Sequence, residues 1–274
     1  METQRIDYHQ QEVKVYSEGT GEVLLFLHGW PTNSRLWDAQ VEALKTDYKI
    51  IRLDWLGFGK SDKPKNHHYT FTKMKEILDL VINKMIEPDQ KINIIAHDIG
   101  GPPAILWTSE NQNRVKHLIL LNTVIYTFST LLDRFSHFFF TVPLIGQIML
   151  SHFGLKQILY VLSANKRGLR TNRLRHLIEW HENFDYQIKL KTILEPVHEG
   201  KKMELNSLES KYREIASKKS LIIAKRDPLC YQHMKKLKEQ NPEVPVYFIE
   251  QCGHFIPLDR PKELNERLVK ILKE

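Results

Sequence analysis

The sequence predicts an α/β fold, in which a mostly parallel central sheet is flanked by helices and a helical cap is inserted into the core. Short apolar runs rich in β-branched residues alternate with amphipathic helical segments, which is typical of a parallel sheet covered by helices. The alternation then stops between about residue 122 and the apolar run at 220–224, and the stretch between them has helical patterns. A crossover between parallel strands needs far fewer residues, so we expect an insertion here.

The chain of 274 residues is long enough for one large α/β domain with an insert. We assign residues 1–124 and 213–274 to the core and residues 125–212 to the inserted helical cap.

The elements are predicted in order along the chain. Apolar residues at 11–16 and 23–27, around the turn signal Gly19-Thr20-Gly21, predict a hairpin that enters a central strand. Further strands are predicted at 49–54, 92–96, 115–122, 220–224 and 245–249, and helices at roughly 35–46, 71–86 and 230–240. The bond between Trp30 and Pro31, just after a strand, is a candidate cis peptide.

The stretch from Ile92 to Gly101 carries the first functional prediction. A buried strand ends in Ala96, and His97, Asp98, Ile99 and two glycines follow. This is the pattern of a nucleophile elbow, a strand-to-helix turn so tight that its flanking positions must be small. The usual central residue is Ser, and here it is Asp98. A plainer interpretation is that Asp98 only caps the next helix, because Asp is a favoured N-cap residue.

An acid and a histidine follow later strands in the order that such an elbow requires. Asp227 lies after the strand at 220–224, and His254 lies after the strand at 245–249. Taken singly, Asp227 is a turn residue before Pro228 and His254 a structural histidine. Their order after Asp98, each at a strand end, instead favours a catalytic triad of nucleophile, acid and histidine.

The chain closely resembles the branch of the α/β-hydrolase superfamily that holds haloalkane dehalogenases and epoxide hydrolases. The matching motifs are His28-Gly29-Trp30-Pro31, the run from Asp54 to Pro64, His97-Asp98-Ile99-Gly100-Gly101 and Gly253-His254-Phe255. The second motif, with His67-His68-Tyr69 behind it, is also similar to the mesoderm-specific-transcript-like subgroup.

This resemblance implies the α/β-hydrolase fold and a triad of Asp98, Asp227 and His254. It also implies an oxyanion site made by the backbone N–H groups of Trp30 and Ile99. A second dehalogenase subgroup has its acid after the strand that precedes the cap. This chain has Asn122 there, so Asp227 is the better candidate.

An aspartate at the elbow indicates an electrophile with an sp³ carbon. A carboxylate that attacked an ester would form a reactive anhydride, whereas attack on an sp³ carbon forms an ordinary alkyl ester. His254, oriented by Asp227, would then draw a proton from the water that hydrolyses this ester. The reaction needs no metal or cofactor, and we predict none.

The leaving group separates the two chemistries. Haloalkane dehalogenases usually have Trp directly after the nucleophile, and this chain has Ile99. Epoxide opening needs N–H or O–H donors from the cap. The candidate donors are Trp180, His198 and Tyr186, and further side chains of these types are Trp30, Tyr126, Tyr160, His181 and Tyr212. We favour an epoxide hydrolase-like function over a haloalkane dehalogenase-like one. Ester or lactone hydrolysis with Asp98 as a base, and a binding protein without turnover, are further alternatives.

Composition favours a cytoplasmic protein whose partner is a small apolar substrate. The net charge of +7 is spread along the chain, with short clusters such as Lys218-Lys219 and Lys235-Lys236. No recognition motif accompanies these clusters, so a solvated surface explains them better than nucleic-acid binding. Two cysteines are too few for a disulfide framework, and no cleavable signal precedes the first strands.

Residues 135–155 contain no Asp, Glu, Lys or Arg. Their length would allow a transmembrane helix. Against this stand the polar or helix-breaking residues His137, Pro143, Gly146, Gln147, Ser151 and His152. We therefore favour a pair of cap helices that lines an apolar cavity over contact with a membrane.

Overall fold

The structure is a computed structural model, and it describes residues 1–125, 140–164, 177–178, 185–202 and 205–274. Eight strands form one sheet in the order β1-β2-β4-β3-β5-β6-β7-β8. Their bounds are Glu2–Tyr8 (β1), Gln11–Glu18 (β2), Glu22–Leu27 (β3), Tyr48–Asp54 (β4), Ile92–Asp98 (β5), Val115–Thr123 (β6), Lys218–Ala224 (β7) and Val246–Ile249 (β8). Strands β3 to β8 pair in parallel and only β1 and β2 make antiparallel pairs, so the predicted mostly parallel sheet is confirmed.

Helices cover both faces of this sheet. The described α-helices are Asp38–Leu44 (α1), Phe71–Met85 (α2), Gly101–Glu110 (α3), Pro143–Met149 (α4), His152–Leu162 (α5), Tyr186–Lys202 (α6), Leu205–Glu214 (α7), Tyr231–Gln240 (α8), Ile256–Asp259 (α9) and Pro261–Lys273 (α10). Short 3₁₀ segments precede α1 and β6.

The predicted hairpin between 11–16 and 23–27 is wrong. Strand β2 pairs with β1 on one side and β4 on the other, and β3 lies beyond β4. The hairpin of this chain joins β1 to β2 through His9 and Gln10, which both have positive φ. Neither residue is a glycine, and β1 is largely polar and exposed, so the usual turn and strand patterns are missing.

Strand β5 is buried along its whole length, and its side chains alternate between the two faces of the sheet. Ile92, Ile94 and Ala96 join the core on one face, and Ile95 joins the core on the other. A strand covered on both faces must be apolar throughout, which explains the continuous run in the sequence. This strand carries Asp98 at its end, so the core on both faces holds the elbow in place.

Helix α2 shows why the predicted helices form. Its buried residues recur at spacings of three and four, which gives one apolar face toward the sheet. The side chain of Thr70 accepts a hydrogen bond from Lys73 N at 3.3 Å and caps the first turn.

The described cap helices α4, α5 and α6 lie between β6 and β7, where the sequence predicts the insertion. Helix α6 is tied to the core loop before α2, because Glu195 accepts a hydrogen bond from Tyr69 N and Lys191 donates to His67 O, at 2.6 and 2.8 Å. The predicted end of the cap at 212 falls inside α7. The buried side chains of α7, Leu208 and Tyr212, pack in the main core beside α3, so this helix packs as part of the core.

Across the described ranges, no helix combines the length and the apolar character that crossing a membrane requires.

Candidate active site

Asp98 lies at the turn between β5 and α3 and has a positive φ of 52°. This conformation is rare for a residue with a side chain and is retained where the surroundings enforce it. Thr123 does so from β6, because its hydroxyl donates to Asp98 O at 2.6 Å. The following positions must be glycine, since a Cβ on Gly100 would lie 2.8 Å from His28 O and one on Gly101 would collide with Thr123.

Asp98 does not cap the helix behind it. The N-cap position of α3 is Gly100, and no side chain caps this helix. The Asp98 carboxylate instead accepts hydrogen bonds from two backbone N–H groups. Trp30 N donates to Asp98 Oδ2 at 2.8 Å, and Ile99 N also donates to this carboxylate. These are the two groups predicted to form an oxyanion site.

Gly29 allows the strand β3 turn to approach the elbow this closely. A Cβ on Gly29 would overlap the side chain of Asp98. The next peptide bond, between Trp30 and Pro31, is cis as expected. The motif His28-Gly29-Trp30-Pro31 therefore places a backbone N–H directly on the elbow carboxylate.

The structure brings Asp98, Asp227 and His254 together although they are far apart in sequence. His254 Nδ1 lies 2.9 Å from Asp227 Oδ2, and His254 Nε2 lies 3.8 Å from Asp98 Oδ1. Asp227 is further held by the N–H groups of Leu229, at 2.8 Å, and Cys230. All three triad side chains are buried. The arrangement has the geometry of a nucleophile, a base and an orienting acid.

Burial and charge act against one another in this group. Burial raises the pKa of Asp98 above its ordinary value, although the His254 charge and the two backbone N–H groups oppose that rise. Burial alone would lower the pKa of His254, but the Asp227 carboxylate, its hydrogen bond and Asp98 outweigh it and raise that pKa. Burial likewise works against the Asp227 carboxylate, but His254 and the hydrogen bonds hold its pKa below the usual range. Of the two carboxylates, Asp227 is therefore the one whose charged form the surroundings favour.

Two polar side chains hold the loop that carries His254, and the sequence interpretation missed both roles. His97 Nε2 lies 2.9 Å from His254 O, and Asn122 Nδ2 donates to the same oxygen at 3.2 Å. Asn122 Oδ1 also accepts from Ala224 N at 3.0 Å, which joins β6 to β7. Burial, aided by the His254 charge, lowers the pKa of His97 to about 3, so its ring is neutral at pH 7. The sequence signal for the role of His97 was a histidine within a buried, mostly apolar strand.

The glycine-containing loop from Asp54 to Ser61 is held by hydrogen bonds to a buried carboxylate. Asp54 accepts hydrogen bonds from Ser34 N and Lys60 N, each at 2.8 Å. Gly59 has a positive φ, and a Cβ there would collide with Asp54. This motif therefore shapes the loops around the site and does not supply a reacting group.

Comparison with known proteins agrees with this geometry. The family described as alpha/beta hydrolase fold matches residues 22–261. The chain belongs to this family. It is an α/β-hydrolase enzyme with epoxide hydrolases and haloalkane dehalogenases among its relatives.

Individual relatives match at modest identity. Mesoderm-specific transcript homolog protein of Bos taurus is 35% identical over 127 residues, which are 43% of this chain and 37% of that protein's length. Epoxide hydrolase 3 of Xenopus tropicalis is 25% identical over 264 residues, covering 92% of this chain and 71% of that protein. Haloalkane dehalogenase 2 of Mycobacterium bovis is 26% identical over 159 residues, covering 58% and 55%.

A solved structure supports the fold alone. Bromoperoxidase from Bacillus anthracis superposes with a TM-score of 0.84 at 19% identity, and both chains are covered completely.

The cap of this α/β-hydrolase contacts the triad directly. Leu162 O, at the end of α5, accepts a hydrogen bond from His254 N at 2.8 Å. The next residues, Ser163 and Ala164, donate to the Asp259 carboxylate. Helix α5 therefore helps to position the loop that carries His254.

The predicted leaving-group donors lie in different surroundings. Trp180, Tyr126 and His181 lie outside the described residues. His198 is exposed on α6, whereas the Tyr186 hydroxyl donates to Phe140 O at 2.8 Å. In that bond the Tyr186 hydroxyl donates its hydrogen to Phe140 O, so it does not donate to an epoxide oxygen. Of the other tyrosines considered as donors, Tyr160 is half-buried on α5 and Tyr212 is buried in the core.

Trp30 offers an N–H beside the nucleophile. Its indole Nε1 is buried and has no hydrogen-bond partner within the described part of the chain. The ring packs edge-on against the cap residue Phe140, with centroids 5.8 Å apart. A buried N–H without a partner carries a desolvation cost that a bound acceptor would relieve.

A small apolar pocket adjoins Ile99, the residue after Asp98. Ile99 lines it together with Leu56, Phe58, Met74 and the cap residue Pro196. The side chain that follows Asp98 therefore contributes apolar surface between the core and α6.

One set of described side chains has the proximity of a metal site. The ligand atoms of Asp227, Cys230 and His254 lie within 4.8 Å of one another. Asp227 and His254 already share the hydrogen bond of the triad. The triad thus accounts for this cluster.

Proposed function

We propose that this α/β-hydrolase opens an epoxide to a diol through an ester formed on Asp98. The observation that carries the proposal is the carboxylate at the elbow, with Oδ2 on the Trp30 N–H and Oδ1 3.8 Å from His254 Nε2. An elbow carboxylate suits attack on an sp³ carbon, because the product is a stable alkyl ester.

In the first step, an Asp98 oxygen attacks a carbon of the epoxide ring. The new C–O bond forms as the ring C–O bond breaks, and the ring oxygen leaves as an alkoxide that takes a proton from water. We infer that the Trp30 indole N–H, which is buried and has no partner among the described residues, donates a hydrogen bond to this oxygen while its charge develops.

The second step hydrolyses the ester. Alkylation removes the negative charge of Asp98, which is one of the causes of the raised pKa of His254. Neutral His254 becomes easier to form, and it takes a proton from the water that attacks the ester carbonyl. The N–H groups of Trp30 and Ile99 hold the resulting oxyanion on the Asp98 carboxyl. As the tetrahedral intermediate collapses, the bond from the Asp98 carbonyl carbon to the alkyl oxygen breaks and His254 returns its proton to that oxygen, which releases the diol. Asp98 keeps one oxygen from water, and its carboxylic acid gives its proton to the hydroxide left by the first step, which restores the carboxylate.

A single turnover in ¹⁸O-water tests this route. The substrates are terminal epoxides, short bromoalkanes and a four-membered lactone, and the elbow peptide is analysed by mass spectrometry. We expect label in Asp98 together with diol. Diol without label in Asp98 would contradict the ester intermediate, and no product or label with any substrate would favour a binding protein.

Haloalkane hydrolysis is the second candidate, and the Trp30 indole N–H is the observation that favours it. An unpartnered indole N–H in a desolvated site suits a halide as well as an alkoxide. Bromide release with label in Asp98, and no diol from the epoxides, would assign this reaction despite Ile99.

A further inference from the structure

The outer surface of helices α4 and α5 exposes five large apolar side chains beside the polar Gln147, Lys156 and Gln157. Leu144, Ile145, Ile148, Phe153 and Val161 are each between 36 and 71% exposed, and we call these five residues the cap apolar face. Among the described residues, only Met1 and Phe248 are other large hydrophobic side chains with comparable exposure. Scattered exposed hydrophobic residues are ordinary, but a contiguous group marks an interaction surface.

Helical geometry gathers these residues on one side. Leu144 and Ile148 are one turn apart on α4, and Phe153 and Val161 are two turns apart on α5. The opposite side of the pair is buried, through Gly146, Leu155 and Leu159. The exposed side of the two helices therefore carries five large apolar side chains and three polar ones, one of which is the cation Lys156, whereas a helix at a water-facing surface has a mostly polar outer side.

The same part of the chain is basic and contains no acidic residue. Residues 134–178 contain no Asp or Glu and seven Lys or Arg residues, namely Arg134, Lys156, Lys166, Arg167, Arg170, Arg173 and Arg175. The chain has 40 Lys and Arg and 33 Asp and Glu, so the remaining residues balance at 33 of each. Cations are frequent elsewhere too, and residues 218–238 contain seven Lys or Arg and one Asp, but residues 134–178 have no acid at all.

We propose that the cap apolar face docks on the surface of an anionic phospholipid bilayer. Short helices with exposed Leu, Ile and Phe in a basic, acid-free segment have the composition of elements that lie in the plane of a membrane interface. The helices are too short to cross a bilayer, and the docked protein lies on its surface. A second copy of this chain is a poorer partner, because its own segment 134–178 has the same seven cations and no acid in its sequence.

The docking face and the active site share their helices. Phe140, just before α4, packs on Trp30, and Leu162 at the end of α5 accepts the His254 N–H. Docking would therefore hold the cap side of the site against the bilayer, where apolar molecules concentrate. The docking proposal does not depend on the reaction assigned to Asp98.

Vesicle sedimentation with the full chain tests the proposal. The probes are vesicles of phosphatidylcholine alone and of equal parts phosphatidylcholine and phosphatidylserine. We expect binding to the anionic vesicles that weakens as salt is added, and weaker binding to the neutral ones. No binding, or equal binding to both vesicles at low salt, would overturn the proposal.

Phe153→Ser is the test variant and Phe248→Ser is its matched control, because both phenylalanines are exposed and only Phe153 belongs to the cap apolar face. We expect Phe153→Ser to weaken vesicle binding about tenfold, and Phe248→Ser to leave it unchanged. Equal thermal unfolding of the two variants verifies that folding is intact. Equal loss in both variants would overturn the proposal. So would a dimer in size-exclusion chromatography that Phe153→Ser dissociates, because a second copy would then cover this face.

Discussion

At the residue scale, Asp98 combines a strained backbone with a carboxylate that is hydrogen-bonded in advance. The two N–H groups that it accepts from are the groups that would hold the oxyanion of its own ester. In the proposed reaction, the site would thus be arranged for the second step before substrate arrives. This preorganisation is a common source of catalytic rate, because no dipoles have to reorient during the reaction.

Replacing the base should separate the two steps. In His254→Gln, Asp98 can still attack the substrate, but no base activates water. We expect a covalent adduct with the mass of the epoxide, detected by intact-protein mass spectrometry. Asp98→Asn is the control and should form no adduct. Full turnover by His254→Gln would show that another group activates water.

The pH dependence of adduct formation reports the charge around Asp98. Asp98 must be ionised to attack, and its raised pKa moves the acidic loss of rate to a higher pH than for an ordinary aspartate. The His254 charge lowers the pKa of Asp98, so removing it in His254→Gln should shift this loss to a still higher pH. Adduct formation measured against pH in both proteins tests the shift. An unchanged or lower midpoint in the variant would contradict the coupling.

The position of the acid can also be tested. Asn122 occupies the alternative place for the acid, but its side chain contacts backbone groups of residues 224, 253 and 254. We expect Asp227→Asn to lose activity and the double variant Asp227→Asn/Asn122→Asp to stay inactive, as measured by diol formation. Recovery in the double variant would mean that residue 122 can orient His254.

At the scale of the element, the elbow depends on neighbouring strands. Strand β6 holds the turn through the Thr123 hydroxyl and also supplies Asn122 to the His254 loop. A turn with positive φ at a non-glycine residue costs of the order of 1 kcal/mol, which such contacts must offset.

Thr123→Val should show this dependence, because it removes the hydroxyl and keeps the shape. We expect a loss of about 1 kcal/mol in the free energy of unfolding and a lower kcat, since the buried Asp98 O loses its hydrogen bond. Thr123→Ser keeps the hydroxyl and serves as the control. Denaturant unfolding and turnover are measured on both variants. Equal losses in the two variants, of which only Thr123→Val lacks the hydroxyl, would show that the hydrogen bond to Asp98 O is not the cause.

At the scale of the whole molecule, polar contacts join helix α6 and the residue before it to residues 65–72 of the core. Glu195 accepts the Tyr69 N–H and Glu199 accepts the Thr72 N–H, while Lys65 pairs with Asp185 at 2.7 Å. These contacts cross between α6 and the segment before α2. They hold the cap over the apolar pocket beside Ile99.

Glu195→Ala should loosen this attachment. We expect faster amide hydrogen exchange in residues 186–202 and a higher KM, because the Tyr69 N–H loses its acceptor on α6. The triad should stay intact. Exposed Glu266 on α10 provides the control variant Glu266→Ala. Exchange that stays unchanged in α6 would show that apolar packing alone holds the cap.

The sequence by itself determined the parallel sheet, the elbow at Asp98, the cis bond at Trp30 and the predicted set of Asp98, Asp227 and His254. These features depend on local rules, because tight turns admit few residue types and strand order places the ends of parallel strands together. The tertiary structure decided the pairing of β2, the support of His254 by His97 and Asn122, and the use of the Tyr186 hydroxyl by Phe140. It also decided that α4 and α5 expose apolar side chains on their outer side. Each of these depends on which distant residues meet, and periodicity in a sequence shows that a face is apolar without showing what covers it.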